Sequence, residues 1–298
     1  MKIIQISTRE VANMLSVTET TIKRWTNSGM LKCLKTLGGH RKYLLSDVES
    51  FAKENNISIT GVTAPLRKDQ LEQLGFAVYS KNMAKAADVI MEEALQGDRE
   101  GVSESFMYLV KNRIKLADIV DDIIKPAMEK IGYLWETKKL EVDQEHLATD
   151  TIKTALSRLT VYLPRQKEKQ IKILLACPEG ETHDLGLQAL AYELELSGYK
   201  IHYLGANTPF RSIVNAAKAE NPDYIFISAC APTITDKDFI NGFKSLIRTA
   251  KGIKAKLVAG GDYFERVDKK NVDCDIIVNS IKESISFIKK ANKQKKGQ

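Results

Sequence analysis

The sequence lacks any long hydrophobic run. Nothing in it approaches the roughly 20 consecutive apolar residues that span a bilayer, and residues 1–8 lack the apolar core of a secretion signal. That argues against a helical membrane protein and predicts a soluble, intracellular one. The four cysteines, Cys33, Cys177, Cys230 and Cys274, stand far apart, with no Cys-x-x-Cys pair. Neither a thiolate zinc site nor a disulfide framework is indicated, and a reduced cytoplasm is the expected setting. Histidine is equally scarce, with only His40, His146, His183 and His202 present, so an imidazole-ligated metal has few candidates. The charge excess is mild, +7 over 298 residues; it suits an acidic partner but excludes little. The length leaves room for two or three domains.

Residues 1–56 make a compact basic unit. Thr8 can cap a helix over 9–15, the turn Ser16-Val17-Thr18 follows, and a second helix over 19–27 closes at Ser28-Gly29. Two short helices joined by a tight turn form the helix-turn-helix pattern, whose second helix enters the major groove. Thr20, Thr21, Lys23, Arg24 and Asn27 fall on its polar side, while Ile22 and Trp25 face the core. Leu34 to Tyr43 then reads as a hairpin with Gly38-Gly39 at its tip and bases beside it. This unit resembles the winged helix-turn-helix of MerR-type regulators, in which Gly38-Gly39-His40-Arg41-Lys42-Tyr43 would be the wing. The resemblance implies DNA contacts from the helix residues named above and from His40, Arg41, Lys42 and Tyr43. The plain alternative is a small helical interaction domain with a solvated basic hairpin.

Residues 57–75, with Gly61, Pro65 and Gly75, read as a linker. Four amphipathic helices follow, over 81–95, 99–111, 116–136 and 142–163, with Pro126 placed to kink the third. They predict a four-helix bundle over 76–168. From 169 to 293, strands at 171–177, 200–204, 224–229, 255–259 and 275–279 alternate with helical stretches, the pattern of a flavodoxin-like doubly wound parallel sheet. The expected fold class is therefore multidomain, α and α/β, closed by a basic tail at 294–298. The lysines near that tail suit a helix end and solvent.

Ligands of such sheets gather at the carboxyl ends of the strands. There lie Glu181-Thr182-His183-Asp184-Leu185-Gly186 after the first strand, Ser228-Ala229-Cys230 after the third and Gly260-Gly261-Asp262 after the fourth. An imidazole at residue 183 can ligate a metal, with the Glu181 carboxylate fixing its tautomer. Within the bundle, nine residues separate Trp135 from Glu145, and His146 follows directly. Core packing of the tryptophan and solvation of the pair would account for these equally well on spacing alone.

Three motifs carry a resemblance that covers nearly the whole chain. Glu-x-His-x-x-Gly is similar to the Asp-x-His-x-x-Gly loop of cobalamin-binding domains, Trp-x9-Glu-His resembles the signature of the CarH/LitR light-sensing repressors, and the DNA reader precedes both. The resemblance implies adenosylcobalamin with His183 as the lower cobalt ligand. Trp135, Glu145 and His146 would then lie over the upper face, Ser228, Gly260 and Gly261 would line the pocket for the displaced nucleotide tail, and Glu181 and Gly186 would belong to the cofactor-binding loop. It further implies a non-enzymatic repressor of operator DNA that is a homotetramer in the dark and falls to monomers in light. One position departs from the pattern: Glu136 stands where these light sensors carry a histidine that captures cobalt after photolysis. The expected lit state therefore has water or a carboxylate at cobalt, or loses the cofactor. A regulator insensitive to light, one controlled by a partner protein, and a corrinoid-carrying methyltransferase subunit are the alternatives.

Overall fold

The computed structural model describes residues 5–15, 17–35, 39–55, 57 and 68–296. Ser16 of the expected turn, Thr36, Leu37 and Gly38 of the hairpin, and residues 58–67 of the expected linker lie outside the described residues. The chain divides into two compact units, 1–66 and 67–298.

In the first unit, β1 (Gln5–Ser7), α1 (Thr8–Met14), α2 (Glu19–Asn27), β2 (Leu34–Lys35), β3 (Arg41–Leu44) and α3 (Leu45–Glu54) follow in order. The strands form an antiparallel sheet ordered β1-β3-β2. Thr18 caps α2 by accepting the Thr21 N–H at 3.2 Å, which fixes where the second helix begins. Val11, Leu15, Ile22, Leu31, Tyr43, Val48 and Phe51 form the core. Trp25 packs its ring 5.1 Å from that of Phe51.

The second unit opens with α4 (Lys68–Ser80), α5 (Met83–Leu95) and α6 (Arg99–Lys111). The expected linker over 57–75 is thus corrected, because residues 68–75 are helical and α4 adds a helix ahead of the four foreseen. Leu74 and Ala77 are fully buried. Gly75, read from sequence as a breaker, lies inside the helix, where an added Cβ would stand 3.2 Å from the Tyr108 hydroxyl. Close helix packing explains that glycine better than a turn does.

The third foreseen helix is interrupted. α7 (Leu116–Ile119) passes through a π-helical segment, Val120–Ile124, into α8 (Lys125–Glu136). The Lys125 N–H bonds Val120 O, five residues back, and Pro126, which has no N–H to give, follows at the start of α8. A widened turn thus absorbs the proline that would otherwise break the helix. α9 (Val142–Tyr162) starts from a capping box formed by Glu141 and Gln144.

β4 (Lys172–Pro178), β5 (Lys200–Thr208), β6 (Tyr224–Ser228), β7 (Lys256–Gly260) and β8 (Ile276–Val278) form one parallel sheet ordered β5-β4-β6-β7-β8. This is the flavodoxin-like 2-1-3-4-5 order expected. α10 (Leu185–Leu196), α11 (Phe210–Glu220), α12 (Asp236–Ile253), α13 (Tyr263–Arg266) and α14 (Ile281–Lys296) complete the winding. Alternate residues Leu174, Ala176, Ile225, Ile227, Leu257 and Ala259 pack with Phe210, Ile213, Phe239 and Phe243 of α11 and α12. Full burial of each large side chain stabilises by about 1.5–3 kcal/mol. The bundle docks beside α10 and α14. Asp121 of the π segment accepts the N–H groups of Ile281 and Lys282, and Lys282 Nζ pairs with Asp122 and Asp118. Among the described residues no helix is long and apolar enough to cross a membrane.

Candidate cofactor site and nucleic-acid face

β4 is buried from Ile173 to Pro178, so the chain leaves the sheet core directly into the loop bearing His183. That loop is pinned from both sides. Gly180 N–H donates to Asn207 Oδ1 at 2.8 Å and Asn207 N–H to Glu181 O at 2.7 Å. Thr233 N–H donates to Gly180 O at 3.0 Å. Gly180 has φ +80, and a Cβ there would lie 2.9 Å from Ile234 N; only glycine suits the position.

Glu181 is fully buried and accepts four hydrogen bonds. Its Oε1 takes the His183 backbone N–H at 2.7 Å and lies 2.6 Å from His183 Nδ1. Its Oε2 takes the N–H groups of Cys230 at 2.5 Å and Ala231 at 2.8 Å. Burial opposes the Glu181 charge, but these donors outweigh it and hold the carboxyl below its usual range. The same hydrogen bond raises His183 above the ordinary imidazole value, with burial opposing and Glu181 and Glu145 adding to the rise. With its Nδ1 proton on Glu181, the imidazole presents an Nε2 lone pair outward from a side chain 61% exposed.

Buried surroundings and nearby carboxylates push the Cys177 thiol far up, and burial chiefly raises Cys230 to about 11. Both thiols thus stay protonated and make poor thiolate ligands. Among the described residues no group of three or more His, Cys, Asp and Glu side chains is arranged to hold a metal ion. His183 can supply a single imidazole to a metal that brings its other ligands with it.

Trp135, Glu145 and His146 lie at the end of α8 and the start of α9, as their spacing predicts. Trp135 is in the last turn of α8 and 48% exposed. Glu145, in the first turn of α9, accepts the Thr149 hydroxyl at 2.7 Å. His146 points largely into solvent, its Nε2 3.6 Å from Glu145 Oε2. Glu136 is exposed. The charge of Glu145 contributes to the raised His183 value.

The glycines divide by cause. Gly186 is exposed and has open space where a Cβ would be. Gly260 would set a Cβ 2.8 Å from Val278 O, and Gly261, at φ +96, 2.3 Å from Ala229 O. Close backbone approach requires both, and at Gly261 the positive φ adds to the demand. Ser228 ends β6 half-buried, paired in register with Gly260.

Sequence reasoning missed the Cys230 and Ala231 amides, because backbone donors carry no side-chain signature. It also missed Lys153 of α9, which pairs with Asp184, and Tyr203, whose hydroxyl donates to Asp184 at 3.0 Å. Asp184 lay within the recognised motif and was the available signal.

On the first unit, Thr20, Lys23, Arg24, Asn27 and His40 are exposed. Thr21 is half-buried in the α2 cap, and its hydroxyl lies 3.1 Å from that of Thr18. Arg41 donates to Asn27 Oδ1 at 2.8 Å, bracing the hairpin on the helix; Lys42 is half-buried. Tyr43 requires correction. It is fully buried, its hydroxyl 2.9 Å from Thr26 Oγ1, because β3 alternation turns it into the core. It is not presented to DNA.

Comparison with known proteins agrees with this layout. A family described as B12 binding domain matches residues 86–160, a second so described matches 171–283, and a helix-turn-helix domain family matches 6–56. The HTH-type transcriptional repressors CarA and CarH of Myxococcus xanthus are 25% and 24% identical. The matches cover 75% and 74% of this chain and 77% of each repressor. Dimethylamine corrinoid protein 3 of Methanosarcina acetivorans is 27% identical over 53% of this chain and 75% of its own. The solved monomethylamine corrinoid protein of Methanosarcina barkeri shares the fold, with TM-score 0.54 and 18% identity over 67% of this chain and 94% of that one. Helix-turn-helix first, then two B12-binding domains: the resemblance to CarH-type repressors drawn from the motifs is borne out.

Proposed function

We propose that this chain is a cobalamin-dependent transcriptional repressor whose grip on operator DNA is set by the cofactor and by light. The observation that carries the reading is His183, held by a buried Glu181 with Nε2 turned outward, in a chain that also bears a helix-turn-helix unit. His183 would hold the cobalt of the cofactor, with Glu181 fixing its tautomer and basicity. Trp135 and Glu145 would shield the bound cofactor from water as a lid, with His146 at the rim; Ser228, Gly260 and Gly261 would line the pocket for its nucleotide tail, with Gly186 in the ligand loop. Adenosylcobalamin supplies a cobalt–carbon bond that light can cleave. The residues of the chain respond through the lid, whose position governs whether subunits assemble, as a tetramer in darkness and as monomers in light. Assembly makes later DNA contacts intramolecular and raises avidity without new contacts. A swing in occupancy from about 1% to 99% needs roughly 5.5 kcal/mol of differential stabilisation. Thr20, Lys23, Arg24, Asn27, His40, Arg41 and Lys42 meet bases or phosphates, with Lys23, Arg24 and Arg41 foremost. The work is regulation in the cytoplasm, not catalysis.

The decisive experiment is size-exclusion chromatography and operator binding with adenosylcobalamin, in darkness and after green light. Cofactor-dependent assembly and DNA retention, both lost on illumination, are expected. Unchanged size and DNA binding under all three conditions, including no cofactor, would sink the proposal. A second reading, a corrinoid carrier for methyl transfer, is favoured by the similarity to dimethylamine corrinoid protein 3. It gives no reason for the helix-turn-helix unit, and it predicts cobalamin uptake without operator binding.

A further inference from the structure

Asp184 occupies the N-cap of α10, yet its carboxylate bonds none of the free N–H groups of that helix. An aspartate in this place ordinarily caps, a gain of about 1 kcal/mol. Here Oδ1 instead pairs with Nζ of Lys153, on bundle helix α9, and Oδ2 accepts the Tyr203 hydroxyl of β5. The pair is largely withdrawn from solvent, with Asp184 15% and Lys153 29% exposed, so water screens it less than an ordinary surface bridge. Lys153 continues the α9 ridge that carries Glu145 and Thr149 at four-residue intervals, and those two are themselves hydrogen-bonded. The Lys153–Asp184 pair thus joins α9, the helix that carries Glu145 and Thr149, to the residue next to His183, whose own N–H is held by Glu181.

We infer that Lys153 and Asp184 form a latch between the bundle lid and the ligand loop, so that a shift of His183 moves α9. Both act as positioning residues, and the inference rests on His183 being the cobalt ligand. The regulation it adds is specific: the lid senses the loop directly and does not wait on the upper face alone.

The test compares wild type, Lys153→Met, Lys153→Arg and Tyr203→Phe by hydrogen exchange without cofactor and by titration with hydroxocobalamin. Loss of the latch in Lys153→Met should speed exchange of the amides in the first half of α9 and the first turn of α10 by about tenfold, the equivalent of 1.4 kcal/mol. Hydroxocobalamin affinity should fall several-fold while the urea midpoint of α5 and α6 holds. Lys153→Arg should restore both readouts, and Tyr203→Phe, which removes one hydroxyl, should move the same amides in the same direction by less. Wild-type exchange and affinity in Lys153→Met would overturn the latch. A wild-type protein that takes up no hydroxocobalamin would overturn the ligand reading instead, and the exchange comparison would still decide whether lid and loop are coupled.

Discussion

Asp121 Oδ1 accepts the backbone N–H of Ile281 at 2.8 Å, joining the π segment of the bundle to the first residue of α14. Its Oδ2 takes the next N–H, that of Lys282, at 3.0 Å, so a side chain 160 residues away satisfies the first two N–H groups of α14 while Ser280 Oγ accepts the third, that of Glu283. Asp121→Asn keeps one acceptor but turns an amide toward a donor. It should cost about 1–2 kcal/mol, read from urea unfolding. Burial, only partly offset by the two N–H groups and Lys282, holds the Asp121 carboxyl above its usual range. The folded state then binds that proton more tightly than the unfolded one. The associated stability is full below about pH 3.9 and is lost as pH rises through the elevated folded value. The wild-type advantage over Asp121→Asn should therefore be larger near pH 4 than at pH 7; an advantage that grows toward neutrality would contradict this account.

Glu181 is the second point of leverage. Glu181→Gln keeps the size of the side chain but sets an amide among four donors, so one of the two donor pairs, the His183 groups or the Cys230 and Ala231 N–H groups, loses its acceptor at about 1–3 kcal/mol per group. The imidazole of His183 also loses the carboxylate that fixes its tautomer. Such partners of a metal-ligating histidine typically contribute about 10–100-fold to metal affinity. Titration with hydroxocobalamin should show that loss in Glu181→Gln and a larger one in His183→Ala. Equal affinity for wild type and Glu181→Gln would detach the carboxylate from the site.

Much of this was legible in the sequence, for physical reasons that differ by element. β4 and β6 are buried on both faces and announce themselves as unbroken apolar runs. The helix-turn-helix spacing and the Glu181–His183 pair are local, so short motifs suffice to find them. What escaped notice depends on distance. Gly75 looked like punctuation because the neighbour that demands it, Tyr108, lies 33 residues on. Tyr43 looked like a DNA contact because its neighbours in sequence are basic, whereas its partner is Thr26 on another element. The Lys153–Asp184 pair joins α9 to the loop after β4, and no periodicity within either segment encodes it.

Lys23 and Tyr43 separate surface from core on the DNA-binding unit. The side chain of Lys23 is 50% exposed beside Glu19 at 3.8 Å, a pair too solvated to hold it back from a phosphate. Lys23→Ala should lower the magnitude of the log–log salt slope of operator binding by about 0.9, the signature of one lost phosphate contact. Tyr43→Phe should leave that slope unchanged and cost only the hydrogen bond with Thr26, about 1 kcal/mol of stability. Fluorescence anisotropy across a salt series measures the first, and urea unfolding the second. A slope change in Tyr43→Phe would return the tyrosine to the interface.

Glu136 follows Trp135 as the last residue of α8 and is exposed. The histidine that resembling light sensors carry there would give cobalt a second imidazole after illumination, and a carboxylate cannot produce that spectrum. Among the remaining imidazoles, His202 lies on β5, 3.8 Å from Glu220, and His40 belongs to the first unit. His146 is the nearest alternative by sequence, ten residues on, with a side chain 74% exposed. Illuminated wild type reconstituted with adenosylcobalamin should therefore show no two-imidazole absorbance. Glu136→His should acquire it, and the double variant with His183→Ala should lose it again. A two-imidazole spectrum in wild type that vanishes in His146→Ala would make His146 the capturing group. One that survives His146→Ala would contradict the assignment of Glu136 as the departure that sets this chain apart.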